Sequence, residues 1–229
     1  MMSIWIIGAM HEEIVSIKND MNSLTTQTIG NLSFYLWNWN NNDIVLVQSG
    51  IGKVNAAITA TLLIQYFKPD FILFSGVAGA TDPTLNIGDI VISTDLIQHD
   101  FNLTEFGYKK GQLPGTKQQA LPASPELLEK TKKLTFNQTS LHFGRIISGD
   151  QFISTRKEKI HLGKEFNALC VDMESAAVAQ VCYNFNMPFL IIRSISDTVS
   201  DKSKMEFETF LPIAARNSKK IITEILKKS

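Results

Sequence analysis

Phe189–Asp197 reads FLIIRSISD, an apolar run that ends in the polar pair Ser196-Asp197. Val171–Ala177, VDMESAA, follows the same plan and ends in Glu174. Short apolar runs bounded by polar residues read as strands buried in a sheet. In an open α/β sheet, side chains at the carboxyl ends of strands line the ligand crevice. Two acids brought there by two strands point to polar chemistry on a small molecule: one can hold hydroxyl groups while the other handles a proton.

Working outward, Ser3–Met10 predicts a strand with Glu12 and Glu13 immediately after it. Ser33–Trp39 and Asp43–Ser49, separated by an Asn-rich turn, predict a hairpin. Gly50-Ile51-Gly52 opens a helical pattern through Phe67, with Val54, Ala57, Ile58, Thr61, Leu62 and Gln65 at near-helical spacing. Phe71–Phe74 reads as a short strand ending in the glycine-rich Ser75–Ala80, and Asp89–Ser93, His142–Ser148 and Leu169–Asp172 as further strands. Helices are predicted for Pro125–Leu134, for about Met173 to Asn184, and for the closing amphipathic stretch Phe207–Lys227. Gln98–Gly115, aromatic and without periodicity, reads as a functional or interface loop. Strands alternating with helices predict an α/β fold, a mixed and mostly parallel central sheet flanked by α-helices, in a single domain spanning 1–229.

The bulk composition narrows the function. Acids and bases balance at 22 each, so no electrostatic footprint for nucleic acid or an anionic membrane is present. No apolar run approaches the ~18 residues of a membrane span. The first residues, MMSIWIIGAMHEE, lack a basic flank and read as a strand, not a signal peptide. Cys170 and Cys182 have no metal spacing and read as core thiols in a reducing cytoplasm. His11, His99, His142 and His161 share no ligand spacing, so no metal is expected.

Two familiar motifs fail on inspection. Gly50-Ile51-Gly52-Lys53 lacks the upstream glycine of a phosphate loop, and Val54 stands where Ser or Thr should follow the lysine. Asn55 occupies the third glycine position of the dinucleotide fingerprint, and Asp70 precedes its strand. No cofactor is expected. Ser196 lies beside Asp197, but no nucleophile elbow is present.

GAMHEE (Gly8–Glu13), SGIGKVNAA (Ser49–Ala57), GVAGA (Gly76–Ala80), HDFNLTEFGYKKGQLPG (His99–Gly115), SGDQFI (Ser148–Ile153), VDMESAA and RSISD (Arg193–Asp197) together resemble the motif series of bacterial 5′-methylthioadenosine/S-adenosylhomocysteine nucleosidases. These belong to the purine nucleoside phosphorylase and uridine phosphorylase superfamily, and the motifs run in family order over essentially the whole chain. The resemblance implies a nucleoside phosphorylase-like three-layer sandwich. It also implies hydrolysis of the adenine–ribose bond of 5′-thioadenosines, and possible action on 5′-deoxyadenosine, in methionine salvage.

The same resemblance assigns roles. Asp197 would protonate the leaving purine at N7, oriented by Ser196. Glu174 would bind the ribose hydroxyls, with Met173 packed on the sugar, and Glu13 would polarise the attacking water. Arg193 could pair with a carboxylate and help fix that water. Phe152 and Ile153 resemble the adenine pocket, and Met10, Ile51, Ala78, Gly79 and Phe207 its wall. Leu103, Phe106 and Pro114 match a loop lent by a partner subunit, which implies a homodimer. To donate a proton near neutral pH, Asp197 would need burial or substrate to favour its protonated form. Asp172 reads as a structural acid.

Val77 departs from the family, which usually carries a serine near the water site. VDMES in place of VEMEA is a milder departure. A purine nucleoside phosphorylase of the same superfamily is the nearest rival. Its phosphate would need arginines in the N-terminal half, whereas Arg145, Arg156, Arg193 and Arg216 are the only arginines of the chain. Cleavage of 6-amino-6-deoxyfutalosine is a further alternative within the hydrolases. A non-catalytic nucleoside-binding protein would not need Glu13, Glu174 and Asp197 together.

Overall fold

The computed structural model describes residues 2–19, 21, 23–116, 118–134, 140–200 and 202–227. Among the described residues, ten strands make one mixed sheet: β1 (Ser3–Gly8), β2 (Thr25–Ile29), β3 (Leu32–Trp39), β4 (Asn42–Gln48), β5 (Phe71–Ala80), β6 (Ile90–Gln98), β7 (Leu121–Pro122), β8 (Leu141–Ser148), β9 (Cys170–Asp172) and β10 (Phe189–Asp197). Six α-helices among the described residues accompany it: α1 (His11–Lys18), α2 (Lys53–Phe67), α3 (Pro125–Lys132), α4 (Arg156–Phe166), α5 (Ser175–Asn184) and α6 (Ser203–Lys227). The expected α/β architecture, a mixed sheet flanked by helices, is the one observed.

Strand order is β10-β6-β8-β9-β5-β1-β4-β3-β2, with β7 on β6 and an added β10–β5 pairing. That last pairing joins β10, β6, β8, β9 and β5 into a closed ring. The sheet is less parallel than its apolar runs suggest. β1 pairs in parallel with β4 and β5, as do β10 with β5, β6 with β8, and β8 with β9. The β2-β3-β4 hairpins and the β10–β6, β5–β9 and β6–β7 pairs are antiparallel. β2, TTQTI, is largely exposed and carries no apolar signal to announce it.

The core follows from the apolar strands. Ile4–Ile7, Phe71–Phe74 and Leu190–Ile192 are all buried, as strands covered on both faces require. α2 departs from expectation. It buries Ala56, Thr59, Ala60 and Leu63, whereas Val54 and Ile58 are 68% and 50% exposed. A helix apolar on every side does not declare its buried face by spacing alone.

β5 also differs, because it does not stop at Phe74 but continues through the glycine-rich stretch to Ala80. A Cβ on Gly76 would collide with Arg193 Nη1 and Glu13 Oε1, and one on Gly79 would lie 2.9 Å from Asp197 Oδ2. These glycines clear space inside a strand for the side chains of neighbouring elements. No helix among the described residues is long and apolar enough to cross a membrane.

Candidate active site

A cavity of about 350 Å³ opens at the carboxyl ends of β1, β5, β9 and β10, a size suited to a small organic ligand. Glu13, Glu174 and Asp197 all line it, with Asp172. Met10, Ile51, Ala78, Gly79, Phe152, Met173, Ser196 and Phe207 complete most of the expected wall, and Ala9, Val77 and Val171 are additional. Ile153 borders a smaller adjoining cavity that shares Phe152, Gly79 and Asp197. Arg193 sits behind the wall. Leu103 is half-buried and Phe106 and Pro114 are exposed, all three away from the cavity wall.

Glu13 is fixed by backbone. It lies in the first turn of α1, and Oε2 accepts from the Ala9 and Met10 amides at 2.6 and 3.0 Å. Oε1 accepts from Val77 N–H across the sheet at 2.9 Å. The residue is 3% exposed. Burial raises its carboxyl above the ordinary value, against the opposing pull of Arg193 and these three amides.

Glu174 stands at the N-cap of α5, and Oε1 accepts from Gly52 N–H at 2.7 Å. Gly52, with φ of 97°, holds a backbone conformation that favours glycine and turns its amide toward the acid. Burial, and then the neighbouring Asp172, push the Glu174 carboxyl up to about 7.

Asp172 has a structural anchor's partners. It accepts from Ser148 Oγ at 2.5 Å, from the Glu174 and Ser175 amides, and from the Ser175 hydroxyl. Arg193 Nε donates to its Oδ2 at 2.7 Å. The Arg193 guanidinium lies 4.0 Å from the centroid of the Phe74 ring, and Nη1 and Nη2 have no hydrogen-bond partner among the described residues. Glu13, Asp172 and Glu174 thus share one buried cation.

Asp197 closes β10, where the strand register advances by two residues against one of β5 between Ile195 and Asp197. Such a slip re-aims side chains at the end of a strand. Oδ1 accepts from Ser196 Oγ at 2.8 Å, and Oδ2 from Lys159 Nζ. Sequence reasoning missed Lys159 because it missed α4 altogether. The signal was present in Thr155-Arg156-Lys157-Glu158, an N-terminal capping pattern. Thr155 Oγ1 accepts from Glu158 N–H at 3.2 Å and donates to Glu158 Oε2 at 2.7 Å.

Phe152 and Phe207 meet edge to face, with centroids 5.7 Å apart, and form an aromatic edge to the cavity. None of the described residues lining the cavity is Lys or Arg. No cluster of His, Cys, Asp and Glu suited to a metal ion occurs among the described residues.

A ring of acids at strand ends, inside a sheet of this order, defines a class before any activity is assigned. The family model described as the phosphorylase superfamily matches residues 3–227. The 5′-methylthioadenosine/S-adenosylhomocysteine nucleosidase of Staphylococcus aureus strain JH9 is 42% identical over 225 residues, 97% of this chain and 98% of its own. The nucleosidase of the same name from Neisseria meningitidis, solved with methylthio-immucillin-A, superposes with a TM-score of 0.96 at 35% identity and full coverage of both chains. The futalosine hydrolase of Helicobacter pylori gives 0.95 at 34% identity, covering 100% of this chain and 98% of that one. The chain belongs to the phosphorylase superfamily and, within it, to the 5′-methylthioadenosine/S-adenosylhomocysteine nucleosidase family.

Proposed function

We propose that this protein hydrolyses the N-glycosidic bond of 5′-methylthioadenosine and S-adenosylhomocysteine, releasing adenine and the 5-thioribose. The observation that carries the choice of water over phosphate is the cavity's lining: four carboxylates and no Lys or Arg. A phosphate dianion would enter against like charge with no planar fork to hold it.

In this reading, Asp197 gives a proton to purine N7 as the C1′–N9 electron pair leaves with the base. Water adds to C1′ and loses its proton to the Glu13 carboxylate. Glu174 accepts from the ribose hydroxyls, and its charge favours the cationic sugar. Binding ribose would replace the Gly52 amide on Glu174 or share the carboxylate with it. Phe152 and Phe207 would stack on the base and Met173 on the sugar.

The test is product identification. Methylthioadenosine, adenosylhomocysteine and inosine are incubated with the protein, with and without phosphate. Adenine and a free thioribose at a phosphate-independent rate are expected. A phosphate-stimulated rate with a ribose 1-phosphate product would overturn the reading. The likeness to a futalosine hydrolase favours 6-amino-6-deoxyfutalosine as a second substrate in the same assay.

A homodimer and a cytoplasmic location belong to the same proposal. Val54 and Ile58 of α2, with Phe106 of the long loop, expose large apolar side chains, a pattern suited to burial against a second copy. Sedimentation at twice the chain mass is expected, and a monomer at micromolar concentration would contradict the homodimer. Cys170 and Cys182 are free and buried, in keeping with a reducing compartment.

A further inference from the structure

One buried charge beside the cavity has no part in the mechanism above. Lys159 is fully buried and stands on the same stripe of α4 as Leu162 and Phe166. Desolvating an ammonium is costly, so a lysine in such a place needs close partners. Both of its partners lie at the end of β10. Nζ donates to Asp197 Oδ2 and, at 2.7 Å, to the Thr198 carbonyl. Water is excluded from the pair, whose side chains are 0% and 2% exposed. Gly79 leaves room for both groups, because a Cβ there would meet Asp197 Oδ2 and Lys159 Nζ.

The other carboxyl oxygen has a different kind of neighbour. Oδ1 accepts from the Ser196 hydroxyl, which has the Ala78 carbonyl, 3.3 Å away, as a second acceptor. An ammonium donates and never accepts, so a proton placed on Oδ2 would point at a donor. A hydroxyl can do both. By turning to Ala78, Ser196 frees Oδ1 to carry a proton.

We propose that Lys159 is a positioning residue for the acid that serves the leaving base, holding Asp197 Oδ2 so that Oδ1 is the oxygen that delivers the proton. The proposal rests on the nucleosidase reading. In that step the Oδ1–H bond breaks, the purine N7–H bond forms, and the C1′–N9 electron pair leaves with the base. Asp197 ends as a carboxylate paired with the Lys159 ammonium, and once adenine has gone, water entering the cavity that Asp197 lines returns the proton to Oδ1.

The experiment compares wild type with Lys159→Met, which removes every donor, and Lys159→Gln, which keeps an amide donor without the charge. For methylthioadenosine, the Met variant should lose about 10- to 100-fold in kcat, part of what a positioned acid contributes. Its KM should stay within about threefold, since binding is not what is removed. The Gln variant should recover part of the loss. A Met variant with kcat within about threefold of wild type would overturn the proposal. So would kcat and KM deteriorating together with Gln no better than Met. If the Met variant does not fold, nitrogen-labelled lysine NMR on the wild type decides. One protected ammonium resonance should move when adenine is added, and an unmoved resonance overturns the proposal. A wild type that releases no adenine from any nucleoside overturns the activity reading instead, and the NMR measurement still tests the pair.

Discussion

The two ends of the cavity handle charge in opposite ways. At the end of β10 the single carboxylate of Asp197 meets its own ammonium, Lys159, and a hydroxyl, Ser196. At the other end Glu13, Asp172 and Glu174 crowd around one guanidinium, Arg193, whose Nε is committed to Asp172. The first end is charge-matched and the second carries an excess of negative charge. A glycosidic bond that breaks toward an oxocarbenium ion builds positive charge on the sugar and negative charge on the base. An acid-rich pocket suits the sugar, and a donor-rich pocket suits the base. The asymmetry of the wall matches the asymmetry of the reaction.

The strongest way to break this comparison is at the charge-matched end. Asp197→Asn keeps the shape and removes the transferable proton. Adenine release should fall by about 10²- to 10⁴-fold, the usual contribution of positioned acid catalysis, while adenine binding by calorimetry changes little. A variant within about tenfold of wild type would mean that the base leaves without help from β10.

How far the sequence led differs between the same two ends. Asp197 and Glu174 were legible because an apolar strand ending in an acid is a pattern with a geometric meaning. Glu13 was ambiguous by spacing alone, since an acid in the first turn of a helix is ordinary. Its distinction lies in the amides of Ala9, Met10 and Val77, and the last of these arrives from another strand. Lys159 was hidden because Arg156, Lys157, Glu158, Lys164 and Glu165 make α4 look like solvated surface. The apolar stripe under those charges is only Leu162 and Phe166, and the lysine itself occupies the third buried position. In β5, the apolar run stops at Phe74 and the strand reads as ending in Ser75–Ala80, because glycine weakens a strand interior. Here the glycines provide space instead, and what needs the space comes from other parts of the chain.

The acid-rich end should reveal itself in stability against pH. The Glu174 carboxyl rises from 4.5 to about 7 on folding. Between those values the folded protein retains a proton that the unfolded chain has released. The unfolded state then binds fewer protons, so stability falls as pH rises through that window. The full loss is at most on the order of 3 kcal/mol. Glu174→Gln, neutral throughout, should lose less stability between pH 5 and pH 8 than wild type in urea denaturation. Glu13, whose carboxyl is also raised, tilts both proteins the same way, so the difference in slope reports on Glu174 and its coupling to Glu13. Equal slopes would mean that Arg193 satisfies all three acids, and the contrast between the two ends would disappear.

The finest test concerns Val77, which stands beside Glu13 and for which the sequence resemblance implies a serine. The backbone amide of Val77, not its side chain, holds Glu13 Oε1. The methyl groups only line the cavity. Val77→Ser leaves that amide in place and adds one hydroxyl near the water that Glu13 is proposed to polarise. One net hydrogen bond is worth about 1 kcal/mol, which converts to about fivefold in rate. An increase in kcat of up to that size, with unchanged KM, is the expected result from steady-state kinetics. A decrease beyond about tenfold would mean that the acid-rich end depends on a dry wall as well as on its charge. Water would then be held by exclusion at that position, and Val77 would be a working part of the site.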